Sequence, residues 1–226
     1  LFISKFLGKN LFGPQQLFGA DSTSIREKYE TEIATHTGKT ASVLVTLARI
    51  PDSGLSVISL LDISERSAME KELAYRANHD LLTGLANKSL AEEKLLSALR
   101  EAAITGGMVG VLLIDLDRFK QVNDSFGHSL GDKLLRQAAE RLTYLARQED
   151  CVARTGGDEF VIVAGRVHSI SQIEALAKNV LCSLNRCFYV DEYSIYLSAS
   201  IGIACYPDNG GTMEALLQSA DLAMYR

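Results

Sequence analysis

Asp158 and Glu159 stand directly behind Gly156 and Gly157, between a short apolar stretch, Cys151 to Ala153, and a longer one, Phe160 to Ala164. A glycine pair tolerates positive φ at both central positions of a tight turn, so the stretch reads as a β-hairpin whose tip carries no side chains. A bare tip lets a bulky ligand approach the backbone, and a carboxylate beside it can hold a metal. That arrangement suits phosphate and metal chemistry better than packing. Asp115 lies in the apolar run Val109 to Leu116, near its end. A carboxylate at the end of a buried strand costs free energy unless it is paired or metal-bound. If that strand lies beside the hairpin, Asp115 and Asp158 converge at one sheet edge. Two carboxylates, a backbone carbonyl and phosphate oxygens suit Mg2+, which prefers hard oxygens and shares its shell with nucleotides. The plainer alternative is that Asp115 merely ends its strand and caps the next turn.

A second polar set, Asn123, His128 and Asp132, straddles a loop entering a helix. An amide and a carboxylate together can read a guanine edge. The carboxylate accepts from N1–H and N2–H2, and the amide meets N3 or N2. Ser129 and Asp132 also read as a capping box, and both readings can hold, because a first-turn acid can face outward. His128 by itself is equally a surface histidine. Arg147 and Asp150, separated from the glycine pair by five residues, read in isolation as a solvated charge cluster at a helix end.

These residues need a scaffold, and the hydrophobic pattern supplies one. Ser89 with Glu92 marks a helix start, with Ala91, Leu95, Ala98, Leu99 and Ala102 on one face. Val109 to Leu116 is a buried central strand. Leu134, Leu135, Ala138, Ala139, Leu142 and Leu145 mark a second helix, and Ser171 with Glu174 opens a third. Tyr193 to Tyr206 reads as one long strand and Thr212 to Arg226 as a last helix. A β-α-β-β-α-β core of this order is α+β and ferredoxin-like, an antiparallel sheet with helices on one face, the plan of polymerase palms and class III nucleotide cyclases. Upstream, Lys28 to Thr37, Lys39 to Ile50 and Leu55 to Ile63 form an antiparallel meander. Glu65 to Asn78 is a charged helix with Met69, Leu73 and Ala77 in a narrow row. It is either a solvated connector or a signalling helix that pairs with a second copy.

The composition narrows the field. The chain has 226 residues and a net charge of −5, which argues against a nucleic-acid surface. Its four cysteines show no metal-ligand spacing; three lie in apolar stretches, and they read as reduced core residues of a cytoplasmic protein. No apolar run spans a membrane. Leu1 to Ala20 is not a signal peptide and reads as a chain entered mid-domain.

Five stretches resemble, in order, the signatures of the GGDEF diguanylate cyclases. They are Asp80-Leu81-Leu82-Thr83-Gly84-Leu85-Ala86-Asn87, the block Asp115 to Asp132, Arg154 to Phe160, Ser200-Ile201-Gly202-Ile203-Ala204 running to Tyr206-Pro207, and Ala220 to Tyr225. The resemblance covers Asp80 to Arg226 and implies a palm-type GGDEF domain over 80–226. It implies Mg2+ ligands at Asp115, the carbonyl of Leu116 and Asp158, with Mn2+ as a substitute. Asp158 matches the base for the ribose 3′-hydroxyl, Lys120 the residue that stabilises the reacting phosphate, and Glu159 lies near the metals. Asn123 and Asp132 match the guanine readers and His128 a nucleotide contact. The amides of Arg118 and Phe119 match a phosphate cradle, and Gly156 and Gly157 the bare tip. Arg147 and Asp150 match an inhibitory product site.

The implied reaction joins two GTP into cyclic di-GMP within a homodimer, with cyclic di-GMP also acting as inhibitor. Asp62 to Arg66 and Gly8 to Leu11 resemble segments of PAS sensor domains, implying a partial PAS sheet over 1–63 and a linker helix over 64–79. The alternative is a regulatory module that binds GTP or cyclic di-GMP and controls an EAL-type phosphodiesterase domain beyond Arg226. Two departures stand out. Lys88 replaces the usual Arg after Asn87, and the family pattern continues past Arg226 with a Lys and a Gly-Arg-Asn turn that hold the triphosphate. The sequence therefore reads as a segment of a larger protein.

Overall fold

A computed structural model of the chain describes residues 26–35, 38–50 and 56–224. They fall into two compact units that divide between Ala74 and Tyr75. In the first, β1 (Arg26–Ala34), β2 (Thr40–Arg49) and β3 (Ser56–Asp62) form the expected antiparallel meander. Val43, Val45 and Ile63 are its buried apolar residues. The Asp62 carboxylate accepts the Ser64 N–H at 2.9 Å, where the helix α1 (Ser64–Asn78) begins. Met69 and Leu73 of α1 are exposed. The stretch Gly8 to Leu11, the turn Pro51 to Gly54 and the final Tyr225 and Arg226 lie outside the described residues.

The second unit is built on β4 (Met108–Leu116), which pairs antiparallel with β6 (Glu159–Val167) on one side and β9 (Ala199–Tyr206) on the other. β5 (Cys151–Gly156) completes the sheet, in the order β5-β6-β4-β9. This is the ferredoxin-like order read from the sequence. The helices, however, cover both faces, not one. Leu112, Ile114 and Leu116 share a cluster with Leu134, Ala138 and Leu142 of α4 (His128–Leu145) and with Ile173, Ala177 and Val180 of α5 (Ile170–Leu184). Val109 and Val111 cluster instead with Leu95, Leu99 and Ala102 of α2 (Lys88–Thr105) and with Leu216 and Ala220 of α6 (Met213–Met224). Alternate side chains of a strand point to opposite faces, so the unbroken apolar run of β4 requires cover on both. The sheet that carries Asp115 is therefore packed on both faces.

Local chemistry shifts several boundaries. The first helix of this unit is capped by Asn87, whose Oδ1 accepts the Leu90 N–H at 3.1 Å, and not by Ser89 with Glu92. Asn is as good a cap as Ser, and Asn87 also donates to the Ala77 carbonyl at 2.7 Å. α5 starts after Ser169, whose hydroxyl meets that of Ser171, so no Ser171–Glu174 box forms. The expected long strand from Tyr193 is broken. β7 (Phe188–Val190) and β8 (Tyr193–Ile195) form their own hairpin, and β9 begins only after Ser198, which is hooked to Asp117. The cysteines are free, but only Cys205 is buried, and Cys182 is exposed. No helix among the described residues is long and apolar enough to cross a membrane.

Candidate active site

The hairpin between β5 and β6 turns one residue later than two central glycines would place it. Gly156 pairs with Glu159, so the two turn residues are Gly157 and Asp158. Gly157 has φ 54°, the positive value that tight hairpins require at their first central position. Asp158 therefore sits at the tip itself. Its carbonyl accepts the Leu116 N–H at 3.3 Å, and Asp115 pairs across the sheet with Glu159. Asp115, Leu116, Asp158 and Glu159 thus meet at one end of the sheet, as the sequence suggested.

Partial burial first, and then the charges of Asp158, Glu159 and Asp117, push the Asp115 carboxyl above the usual aspartate range. The ion pairs among the described residues engage other carboxylates. No three His, Cys, Asp or Glu side chains among the described residues close into a cation cage of their own. That donor set fits Mg2+, which takes one or two carboxylates and completes its shell with substrate phosphates and water.

A stability consequence follows. An acid whose pKa is raised in the fold favours the folded state at pH below its unfolded pKa, and that contribution is lost as pH rises through the raised value. At pH 7 Asp115 therefore opposes folding of the metal-free domain. Asp115→Asn is expected to raise the metal-free melting temperature at pH 7 and to do nothing near pH 3. Calorimetric melts across pH measure both.

Beside the carboxylates the chain does not form the expected loop. Arg118 takes φ 60° and starts a short helix, α3 (Phe119–Phe126), held down by buried Phe119 and Val122. Lys120 is exposed in its first turn. Gly127 alone separates α3 from α4 and is the N-cap of α4 without a side-chain bond, so the Ser129–Asp132 box does not form. His128 opens α4 and is exposed, while Asp132 is half-buried one turn on.

Asn123 lies against Gly131, where a Cβ would fall 2.0 Å from Asn123 Oδ1. That oxygen is buried and has no hydrogen-bond partner. The amide is therefore held beside the turn that carries Asp132 with bonding capacity to spare. Asp115, Asp117, Arg118 and Gln121 also border a groove of about 780 Å3 that Tyr196 and Ser198 line as well.

Two features escaped the sequence reading. Asp117 accepts from Ser198 Oγ at 2.6 Å and Ser200 Oγ at 2.8 Å, tying the start of β9 to the end of β4. The signal was present in the two serines spaced for one strand face. Arg154, the one basic residue of the hairpin motif, reaches Asp80 and the Gly157 carbonyl. Arg147 and Asp150 lie at the opposite end of β5, about 20 Å from the tip at strand rise. Asp150 Oδ2 accepts the Arg147 N–H at 2.9 Å, and its other oxygen is buried without a partner. Burial chiefly pushes the Asp150 carboxyl upward, and Arg147 is exposed.

Residues 77–226 match the sequence profile of the family described as diguanylate cyclase, GGDEF domain, and the chain belongs to that family. It is 33% identical to diguanylate cyclase TpbB of Pseudomonas aeruginosa, over 99% of this chain and 51% of TpbB. The solved GGDEF domain of that protein, PA1120, aligns with a TM-score of 0.64 at 40% identity, over 65% of this chain and 86% of the domain. The bifunctional diguanylate cyclase/cyclic di-GMP phosphodiesterase MucR of the same organism is 36% identical, over 80% of this chain and 26% of MucR. The chain thus spans about half of TpbB and about a quarter of MucR.

Proposed function

We propose that this chain is the cyclase part of a diguanylate cyclase, which condenses two GTP into cyclic di-GMP and two pyrophosphates. The observation that carries the reading is the meeting of Asp115, Asp158 and Glu159 at a bare hairpin tip. Asn123, on the helix that follows β4, carries a buried amide oxygen without a hydrogen-bond partner. In this reading Asp115, the Leu116 carbonyl and Asp158 hold Mg2+ or Mn2+, with Glu159 close by. Bound there, the metal neutralises charge on the attacked phosphate. Asp158 takes the proton of the ribose 3′-hydroxyl. That oxygen attacks the α-phosphorus of the second GTP, and pyrophosphate leaves. Lys120 stabilises charge on the reacting phosphate. The N–H groups of Arg118 and Phe119, at the free N-terminus of α3, cradle the phosphates.

Asn123 and Asp132 read the guanine, His128 contacts the nucleotide, and Gly156 and Gly157 leave room for it. One domain holds one GTP, so two copies face each other about a two-fold axis, and catalysis is largely a matter of positioning. GTP as substrate places this in the cytoplasm. Residues 1–63 act as a PAS-type input and 64–79 as the helix that conveys it to the cyclase domain, 80–226.

Arg147 and Asp150 form the inhibitory product site. Arg stacks on or forks to cyclic di-GMP, and the free oxygen of Asp150 accepts from guanine. Arg147→Ala is expected to raise the half-inhibiting cyclic di-GMP concentration about tenfold, the loss of one charged contact worth about 1.4 kcal/mol. The initial rate should stay unchanged. Progress curves with added product check this.

A second reading is a regulatory GGDEF module attached to an EAL-type phosphodiesterase domain; the likeness to bifunctional MucR favours the attachment. The deciding experiment incubates the full-length protein with GTP and Mg2+. Formation of cyclic di-GMP supports the cyclase. Tight nucleotide binding without product supports the module.

A further inference from the structure

We infer that Arg154 is a positioning residue for the carboxylate of Asp158, held in place by Asp80; the inference rests on the cyclase reading above. Added Cβ atoms at Gly156 or Gly157 would meet nothing within 4 Å, so packing does not restrain the hairpin tip from that side. Its orientation depends on hydrogen bonds. Arg154 Nε and Nη2 donate to the Gly157 carbonyl at 3.0 and 2.6 Å. The next carbonyl, that of Asp158, is held by Leu116 N–H from β4 at 3.3 Å. Two successive carbonyls fixed from two directions set the peptide plane between them and hence the direction in which the Asp158 side chain leaves the backbone.

The guanidinium is itself immobilised. Nη1 lies 3.1 Å from both carboxylate oxygens of Asp80, and the Arg154 and Asp80 side chains are only 12% and 23% exposed. A planar fork aimed at a carboxylate and a carbonyl at once leaves little rotational freedom. Asp80 is oriented in turn by Thr83, whose N–H and Oγ1 donate at 2.9 and 2.6 Å. Burial pushes the Asp80 carboxyl upward, but the bonds from Thr83 and Arg154 outweigh it and keep it ionised below the usual range.

The turn that carries Asp80 begins two residues past Asn78, the end of α1. Within the second unit it is pinned by Arg136 Nε on the Leu82 carbonyl at 3.1 Å and by Arg154 N–H on the Ala86 carbonyl at 2.9 Å. The chain after α1 is thus linked through one ion pair to the residue that would bind metal. Arg154 touches neither nucleotide-reading residue, Asn123 nor Asp132, so its loss should loosen metal binding and leave guanine recognition intact.

The test uses the full-length protein with Arg154→Lys and, as a near-isosteric second variant, Asp80→Asn. Mn2+ affinity is read by electron paramagnetic resonance without turnover, and kcat, KM for GTP and the Mg2+ concentration for half-maximal rate are read separately. Expected are about tenfold weaker Mn2+ binding, a matching rise in the Mg2+ requirement, a kcat at least tenfold lower and a KM at saturating Mg2+ within threefold of wild type. The double variant should be no worse than the worse single, because both break one link. Unchanged Mn2+ affinity in both variants, or a KM effect alone, would overturn the inference. If wild type binds Mn2+ but makes no product, the cyclase reading fails while the Mn2+ comparison still decides the role of Arg154.

Discussion

Asp158→Ala is expected to lower cyclic di-GMP formation by about 10³-fold or more, the scale of losing a proton acceptor together with a metal contact. Binding of GTP should change far less, because the residues proposed to read guanine lie on α3 and α4 and not on the hairpin. The backbone should tolerate the change. Asp158 is not among the residues with positive φ, so alanine fits its conformation. The carbonyl bonds to Leu116 and, through Gly157, to Arg154 involve no atom of the lost side chain. Removing the charge also relieves Asp115, whose pKa is raised in part by Asp158, so the melting temperature should hold or rise. A coupled assay for pyrophosphate, a calorimetric GTP titration and a thermal melt measure the three quantities. Near-normal turnover with the alanine variant would remove Asp158 from the chemistry and leave Asp115 and Glu159 as the acids to test.

Legibility in the sequence followed the range of the interactions. Strands and helices with strong period, such as the β4 run and the α4 stripe, could be read because one face or both must be buried whatever their partners are. The order of the sheet was also readable, because a glycine hairpin between two apolar runs leaves few ways to arrange four strands. What the sequence hid was competition between equally good local solutions. Asn87 and Ser89 are both capable caps, and Asn87 prevailed because it also reaches Ala77. Asn123, His128 and Asp132 read as straddling a loop that enters a helix, yet Phe119 and Val122 bury one face and fold the segment of Asn123 into α3. Cover on both faces of the sheet was implicit in the unbroken apolarity of β4. The link from Arg154 to Asp80 joins residues 74 apart in sequence, and no pattern within either motif announces it.

Gly131→Ala is expected to damage guanine recognition far more than it damages the fold. Within a helix, alanine is favoured over glycine by about 0.5–1 kcal/mol. Against that, the new methyl would lie 2.0 Å from Asn123 Oδ1 and 3.1 Å from Phe119 Cζ, and overpacking of this kind costs about 1–3 kcal/mol. The methyl's nearest neighbour is the end of the Asn123 side chain, which can rotate aside, whereas Phe119 is buried and has less room. With the Asn123 end free to rotate aside, the cost falls at the low end of that range, where the two stability terms nearly offset. What is lost is the placement of the Asn123 amide. A site built to hydrogen-bond its ligand discriminates strongly against one that lacks the matching groups, by up to about 10⁴-fold, and a displaced amide forfeits its share.

KM for GTP should therefore rise about 10²-fold, the cost of about two hydrogen bonds, with kcat at saturating GTP changed much less. The preference for GTP over ATP should shrink in step. Asn123→Ala should reproduce the effect, and Gly131→Ala added to it should cost little more, because the methyl then has no amide to displace. ITP, which lacks the 2-amino group, separates the two readers. If Asp132 holds N1–H and N2–H2 while Asn123 meets N3, the Gly131→Ala penalty should persist with ITP. If Asn123 meets N2, the penalty should fall away.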